Sequence, residues 1–130
     1  MRFVSLLLIA TGCLAQDRSP RKPITTLDGK DIFESSCASC HGLDAKGNGP
    51  VATAIRSGVP DLTILVRKRG TFPTAELERF ILGAGKPAAA HGSREMPVWG
   101  PLFRHVENDQ DLGLVRARRV VEYLQSLQRK

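Results

Sequence analysis

Five consecutive residues, Cys37-Ala38-Ser39-Cys40-His41, hold the densest chemistry in the sequence. Two thiols separated by two residues, with an imidazole directly after the second, form the attachment pattern of c-type haem. The spacing has a chemical reason. Each thiol adds across one porphyrin vinyl group, and the adjacent histidine then reaches the iron from one face. Two other chemistries would share the cysteines: a thioredoxin-type redox pair and half of a zinc site. Neither requires a histidine at that position.

A second group of chemically capable residues lies in Met96-Pro97-Val98-Trp99-Gly100-Pro101-Leu102-Phe103. A thioether is soft and polarisable and suits ferrous iron. Met1 is the only other methionine, and a methionine in a Gly/Pro-rich stretch is less suited to core filling than one on a helical face. His91, five residues before Met96, and His105, beyond Phe103-Arg104, are the alternative ligands. Trp99 has two readings: stacking at a haem edge with its indole N–H on a propionate, or simple packing.

These residues need elements to hold them, and the pattern supplies helices. Asp28 can cap a helix through Ile32 and Phe33 up to Cys37, with Asp31 and Glu34 at its positive end. After His41 come Gly42, Gly47, Gly49 and Pro50, a loop able to approach a flat ligand closely because glycine has no side chain. Val51–Ile55 suggests a helical turn, followed by Pro60-Asp61-Leu62-Thr63, and a short amphipathic helix is expected from Leu62 to Arg69, ending at Gly70. Another begins at Thr71 or Thr74 with Pro73 near its first turn, shows Leu77, Phe80 and Ile81 on one face, and stops at Gly83. Gly83 to Gly92 is a long Ala/Gly/Pro loop. A terminal helix starts at Asp109 or Asp111, with Leu112, Val115, Val120, Tyr123, Leu124 and Leu127 as its apolar face. No β alternation occurs, so the expected fold class is all-α.

With 130 residues, one domain is the default. Hydrophobic residues make up 42%, enough for a core, but aromatics only 5%, so a domain of this size would gain from burying a cofactor. The net charge is +6 and the pI near 9.7. A moderately basic surface favours acidic partners or anionic membrane surfaces. Arg67-Lys68-Arg69 and Arg116/Arg118/Arg119 are short basic runs, read mainly as solvated faces. No nucleic-acid recognition motif is present, and aromatics do not interleave with the basic residues.

Residues 1–15 read as an export signal or lipoprotein leader: Arg2 precedes the apolar run Phe3 to Ala10, far short of the ~20 residues that span a bilayer. Two processing routes compete. Cleavage after Ala15 fits a small-x-small rule, whereas Ile9-Ala10-Thr11-Gly12-Cys13 resembles a bacterial lipobox, with alanine where leucine is usual, and would lipidate Cys13. Either route leaves only Cys37 and Cys40 for haem. Residues 16–26, with Pro20 and Pro23, read as a flexible linker, and residues 27–130 as the domain.

Over roughly residues 27 to 128 the chain resembles a class I cytochrome c. The resemblance rests on Cys37-Ala38-Ser39-Cys40-His41 after a short helix, Gly47-Asn48-Gly49-Pro50, Met96-Pro97, and a terminal helix with Val120-Val121-Glu122-Tyr123-Leu124. It implies N- and C-terminal helices crossing at a glycine around a covalently attached haem c, with Gly29, Phe33, Val120 and Tyr123 at the crossing. It implies one haem bound through Cys37 and Cys40, His41 as proximal ligand and Met96 as distal ligand. It also implies that the Pro50 carbonyl accepts a hydrogen bond from the proximal imidazole, fixing the ring and strengthening its donation.

The function so implied is a monomeric, non-enzymatic carrier of single electrons in the periplasm or another extracytoplasmic space, because a metal with both axial positions filled has no open site. Expected partners are redox donors and acceptors, a membrane respiratory complex or a periplasmic dehydrogenase, with membrane anchoring if Cys13 is lipidated. The alternatives are a dedicated cytochrome subunit of a dehydrogenase or oxidase complex, and a haem sensor or peroxidase-like protein with displaceable Met96.

Overall fold

The structure, a computed structural model, describes residues 25–84, 96–105 and 110–129. The leader with Cys13, the linker up to residue 24, His91 and most of the loop after Gly83 lie outside the described residues, as does Asp109. The described residues form six α-helices and two single 3₁₀ turns, with no strand among them. The helices are α1 (Gly29–Ser36), α2 (Ala38–His41), α3 (Leu65–Arg69), α4 (Thr74–Leu82), α5 (Gly100–His105) and α6 (Gln110–Ser126); the turns are Ala52–Ala54 and Leu62–Ile64. The all-α expectation holds.

Helix α1 starts where its capping chemistry dictates. The Asp28 carboxylate accepts from the amides of Lys30 (2.9 Å) and Asp31 (3.0 Å), satisfying two N–H groups that the first turn leaves over. Ile32, Phe33 and Ser36 face inward. They meet α6, whose Ala117, Val120, Val121 and Leu124 recur at helical spacing and are all buried. A β-carbon on Gly29 would fall 2.0 Å from the Arg119 carbonyl oxygen, so only glycine permits this approach of the two helices. Phe33 and Tyr123 pack beside it with ring centroids 5.5 Å apart. The crossing and its aromatic pair are those the resemblance implied.

Helix α6 is the hub: α1, α4 and α5 all pack on it, and Ile81 of α4 and Phe103 of α5 complete the core. Three sequence expectations change here. Phe80 is 41% exposed, leaving Ile81 as the buried residue of α4. Val115, expected on the inner face of α6, is exposed, while Arg116 is buried, its guanidinium donating to the Phe103 carbonyl at 2.6 Å. Arg116 lies on the same stripe as Val120, four residues on, so the register dictates its burial and a carbonyl at the end of α5 receives its charge. Finally, Gly100–His105 is a helix where no helix was expected. Its six residues are too few for a periodic signal, although proline at its second position fits a helix start.

Candidate functional site

Cys37 joins α1 to α2: its N–H donates to the Phe33 carbonyl, and its own carbonyl accepts from Cys40 (3.2 Å) and His41 (2.9 Å). The one-turn helix α2 therefore puts both thiols and the imidazole into a single local frame. A four-residue helix leaves its carbonyls without intrahelical partners. Here the loop that follows satisfies all four: Gly42 N–H bonds Ala38 (2.9 Å), Val51 bonds Ser39 (3.0 Å), Gly49 bonds Cys40 (3.0 Å) and Gly47 bonds His41 (2.8 Å). A β-carbon on Gly49 would lie 2.4 Å from the Ser39 carbonyl oxygen. Gly49 thus permits close approach of the loop to α2, and Gly47 permits its approach to Val59 and Pro60.

His41 is buried, and burial holds its pKa below the usual histidine range. The Pro60 carbonyl opposes that effect, yet Nδ1 completes no hydrogen bond of good length and angle. The carbonyl approaches the ring without being engaged. Pro50, expected to supply an acceptor for the ring, is exposed beside the loop's bonds to α2. The loop's path is visible in the backbone. Leu62 N–H bonds the Ala45 carbonyl at 2.8 Å, and Gly47, bonded to His41, lies against Val59 and Pro60. The sequence marks Pro60-Asp61-Leu62-Thr63 only as the approach to a helix, and the structure folds this segment back against the loop that follows His41.

Both thiols are free and half-buried. Burial, reinforced by the neighbouring Cys40, pushes the Cys37 thiol up to about 12. Its burial therefore disfavours the free thiolate that a redox-active pair would use. Among the described residues no three His, Cys, Asp or Glu side chains converge as a metal cluster.

Met96 is half-buried and packs on the core together with Cys37 and Trp99. Its segment is pinned by the Trp99 N–H, which donates to the Ile81 carbonyl at the end of α4 (3.0 Å), and by Trp99 stacked on Phe103 with centroids 5.8 Å apart. His105 falls in α5. The Arg116/Arg118/Arg119 run is divided: Arg116 points inward, Arg118 pairs with Glu78 (3.1 Å) and Arg119 with Glu122 (3.0 Å). Arg67 and Lys68 are exposed at the end of α3, and Arg69 pairs with Glu76.

Two thiols, a buried imidazole with an unengaged Nδ1 and a thioether at the core edge are the donor types that haem c takes. The family comparison agrees. A profile described as "Cytochrome C oxidase, cbb3-type, subunit III" matches residues 25–112. The chain belongs to this family. It is a c-type cytochrome domain, and haem c is the cofactor of that class. Among curated relatives, the cbb3-type cytochrome c oxidase subunit FixP of Rhizobium meliloti (strain 1021) is 34% identical over 84 residues, 65% of this chain. The cytochrome domain spans only 24% of FixP's length. Cytochrome c-554(547) of Halothiobacillus neapolitanus is 36% identical over 64 residues, covering 48% of this chain and 66% of the relative. Cytochrome c-550 of Virgibacillus halodenitrificans is 54% identical over 26 residues, 20% of this chain and 74% of its own. No solved structure matches the chain.

Proposed function

We propose that this cytochrome domain carries single electrons between redox proteins outside the cytoplasm, with one haem c held by thioethers from Cys37 and Cys40. His41 is the proximal ligand and Met96 the distal one. The observation that carries the reading is the frame around α2: both thiols and the imidazole sit on one helical turn whose four carbonyls are all bonded by the following loop. A group anchored there is held without any moving part. Haem, when bound, supplies the one-electron couple. The protein's residues do the rest. His41 is held by its burial on the one-turn helix α2, and Met96 lies on the segment whose Trp99 backbone N–H bonds the Ile81 carbonyl at the end of α4. Trp99 closes that side against water through its stack with Phe103. With His41 and Met96 both holding the iron, a bound haem would have no open site for substrate, which favours electron transfer over catalysis.

A second reading, favoured by the family's description and by FixP, keeps the haem and makes the chain a dedicated subunit of an oxidase complex. Co-purification of the tagged chain with its membrane partners separates a fixed subunit from a free carrier. The leader fits export, and lipidation of Cys13 would confine the carrier to a membrane surface. Intact mass of the mature protein, expressed with haem-attachment machinery, tests the core reading. Wild type is expected to carry one covalent haem and a Cys37→Ala/Cys40→Ala double variant none. A wild-type chain at its apo mass would refute it.

A further inference from the structure

Helix α4 ends in a cap that leaves part of its carbonyl row open. Gly83 turns the chain out of the helix with a φ of 80°, its N–H donating to the Phe80 carbonyl (3.1 Å), while the Ala84 N–H donates to the Arg79 carbonyl (2.9 Å). This paired cap satisfies Arg79 and Phe80 and leaves the carbonyls of Ile81 and Leu82 without a partner inside the helix. The segment that carries Met96 lies on this end. The Trp99 N–H donates to the Ile81 carbonyl (3.0 Å), and Gly100 comes so close that a β-carbon on it would fall 2.5 Å from the Leu82 oxygen. Val98 covers Gly83 itself: a β-carbon there would fall 2.2 Å from Val98 Cγ1. Residues 98–100 are thus fitted against residues 81–83.

Of these contacts, the one at Val98 is nearest in the chain to the thioether. Only Pro97 separates Val98 from Met96. Proline fixes its own φ and confines the residue before it to extended backbone, so Met96 takes its place from Val98 through a nearly rigid link. Gly83 has two reasons to be glycine. Its positive φ would strain a side chain, and the space a β-carbon would need belongs to Val98. A helix stop accounts for the first reason and not for the second. The join between α4 and the start of α5 does not require the valine either, because the Trp99 bond already makes it.

We propose that Val98, seated over Gly83, is a positioning residue for the distal ligand: it holds the Met96 segment in place, and the closeness of that fit sets how readily a competing ligand displaces the methionine. The inference rests on Met96 as the distal ligand. An external ligand binds only where the methionine has left, so its apparent affinity scales with the fraction of molecules in that open state. Loosening Val98 raises this fraction without altering either axial residue.

The test titrates the haem-loaded full chain, in the ferric state, with imidazole and follows the long-wavelength band of methionine ligation. The variants are Val98→Ala, Gly83→Ala, the two combined, and Gly29→Ala, which loosens the α1–α6 crossing instead. Val98→Ala is expected to keep its haem and its band and to bind imidazole roughly three- to tenfold more tightly, the scale of two partly buried methyl groups. Gly83→Ala should raise the affinity as well, by pushing Val98 aside. In the combined variant the shortened side chain makes room, so the gain should fall short of the product of the two single gains. Gly29→Ala should unfold at a lower temperature and bind imidazole as wild type does. Should Gly83→Ala fail to fold, Val98→Ala against Gly29→Ala decides. Wild-type affinity in Val98→Ala, an equal gain in Gly29→Ala, or a combined gain equal to the product overturns the positioning role. A wild type without the band overturns Met96 as the ligand, and the role of Val98 with it.

Discussion

Arg116 is the buried charge between α5 and α6, and the Phe103 carbonyl is one of the groups that receives it. Its guanidinium is almost wholly withdrawn from water, and a buried charge is tolerated only where hydrogen bonds replace hydration. Truncation would leave the Phe103 carbonyl without its donor and open a cavity between α5 and α6. Arg116→Ala should therefore cost about 2–4 kcal/mol in denaturant unfolding of the holo protein, with Arg116→Met recovering part by filling the volume without the charge. Equal stability of the alanine variant and wild type would contradict this. The sequence could not reveal the residue's burial, because amphipathic reading places every arginine outside and every valine inside. On α6 the register puts Val115 out and Arg116 in. The motif at Cys37 was legible for the opposite reason: its chemistry is local and its spacing covalently required. The path of the loop after His41 was not legible, because it is fixed by bonds from Gly42, Gly47, Gly49 and Val51 to the carbonyls of α2, which no sequence pattern announces.

At the scale of elements, two arrangements position the site and each has its own test. The first is the α1–α6 crossing. Gly29→Ala would drive a β-carbon into the Arg119 carbonyl. The helices must separate, and the thermal unfolding midpoint should fall by an amount corresponding to about 1–3 kcal/mol. A midpoint unchanged from wild type would mean that the close approach is not required. The second is the turn at Asp61. Bonds from the Thr63 side chain and amide, together with Arg129, hold the Asp61 carboxyl below its usual range. A carboxylate depressed in the folded state contributes stability that is present above its unfolded value, near pH 4, and is lost as pH falls through the lower folded value. Asp61→Asn should thus be less stable than wild type at about pH 6, and the gap should narrow at about pH 3. A gap independent of pH would assign the residue a steric role only. Most of the helices were legible from caps and stops: Asp28, Pro73 and Gly83 mark ends that the structure keeps. Helix α5 was not, because six residues give hydrophobic periodicity no room to declare itself.

At the largest scale, the described residues form a small helical frame around α6, with the candidate haem-binding turn and its loop packed against one side. The chain's net charge of +6 is spread unevenly: several arginines pair with acidic neighbours, while Arg67 and Lys68 stand in solvent. Such a surface speeds encounter with acidic partners without specifying one. Among the described residues, no helix is long and apolar enough to cross a membrane. The FixP match, confined to 24% of that protein, relates the cytochrome unit and leaves the assembly it serves to experiment. The central claim is that the chain itself fills both axial positions, and the ferric absorption spectrum of the haem-loaded protein tests it most directly. The account predicts a low-spin spectrum with the weak long-wavelength band of methionine ligation, and loss of that band in Met96→Ala with the haem still attached. A high-spin wild-type spectrum, or a band that survives in Met96→Ala, would contradict it.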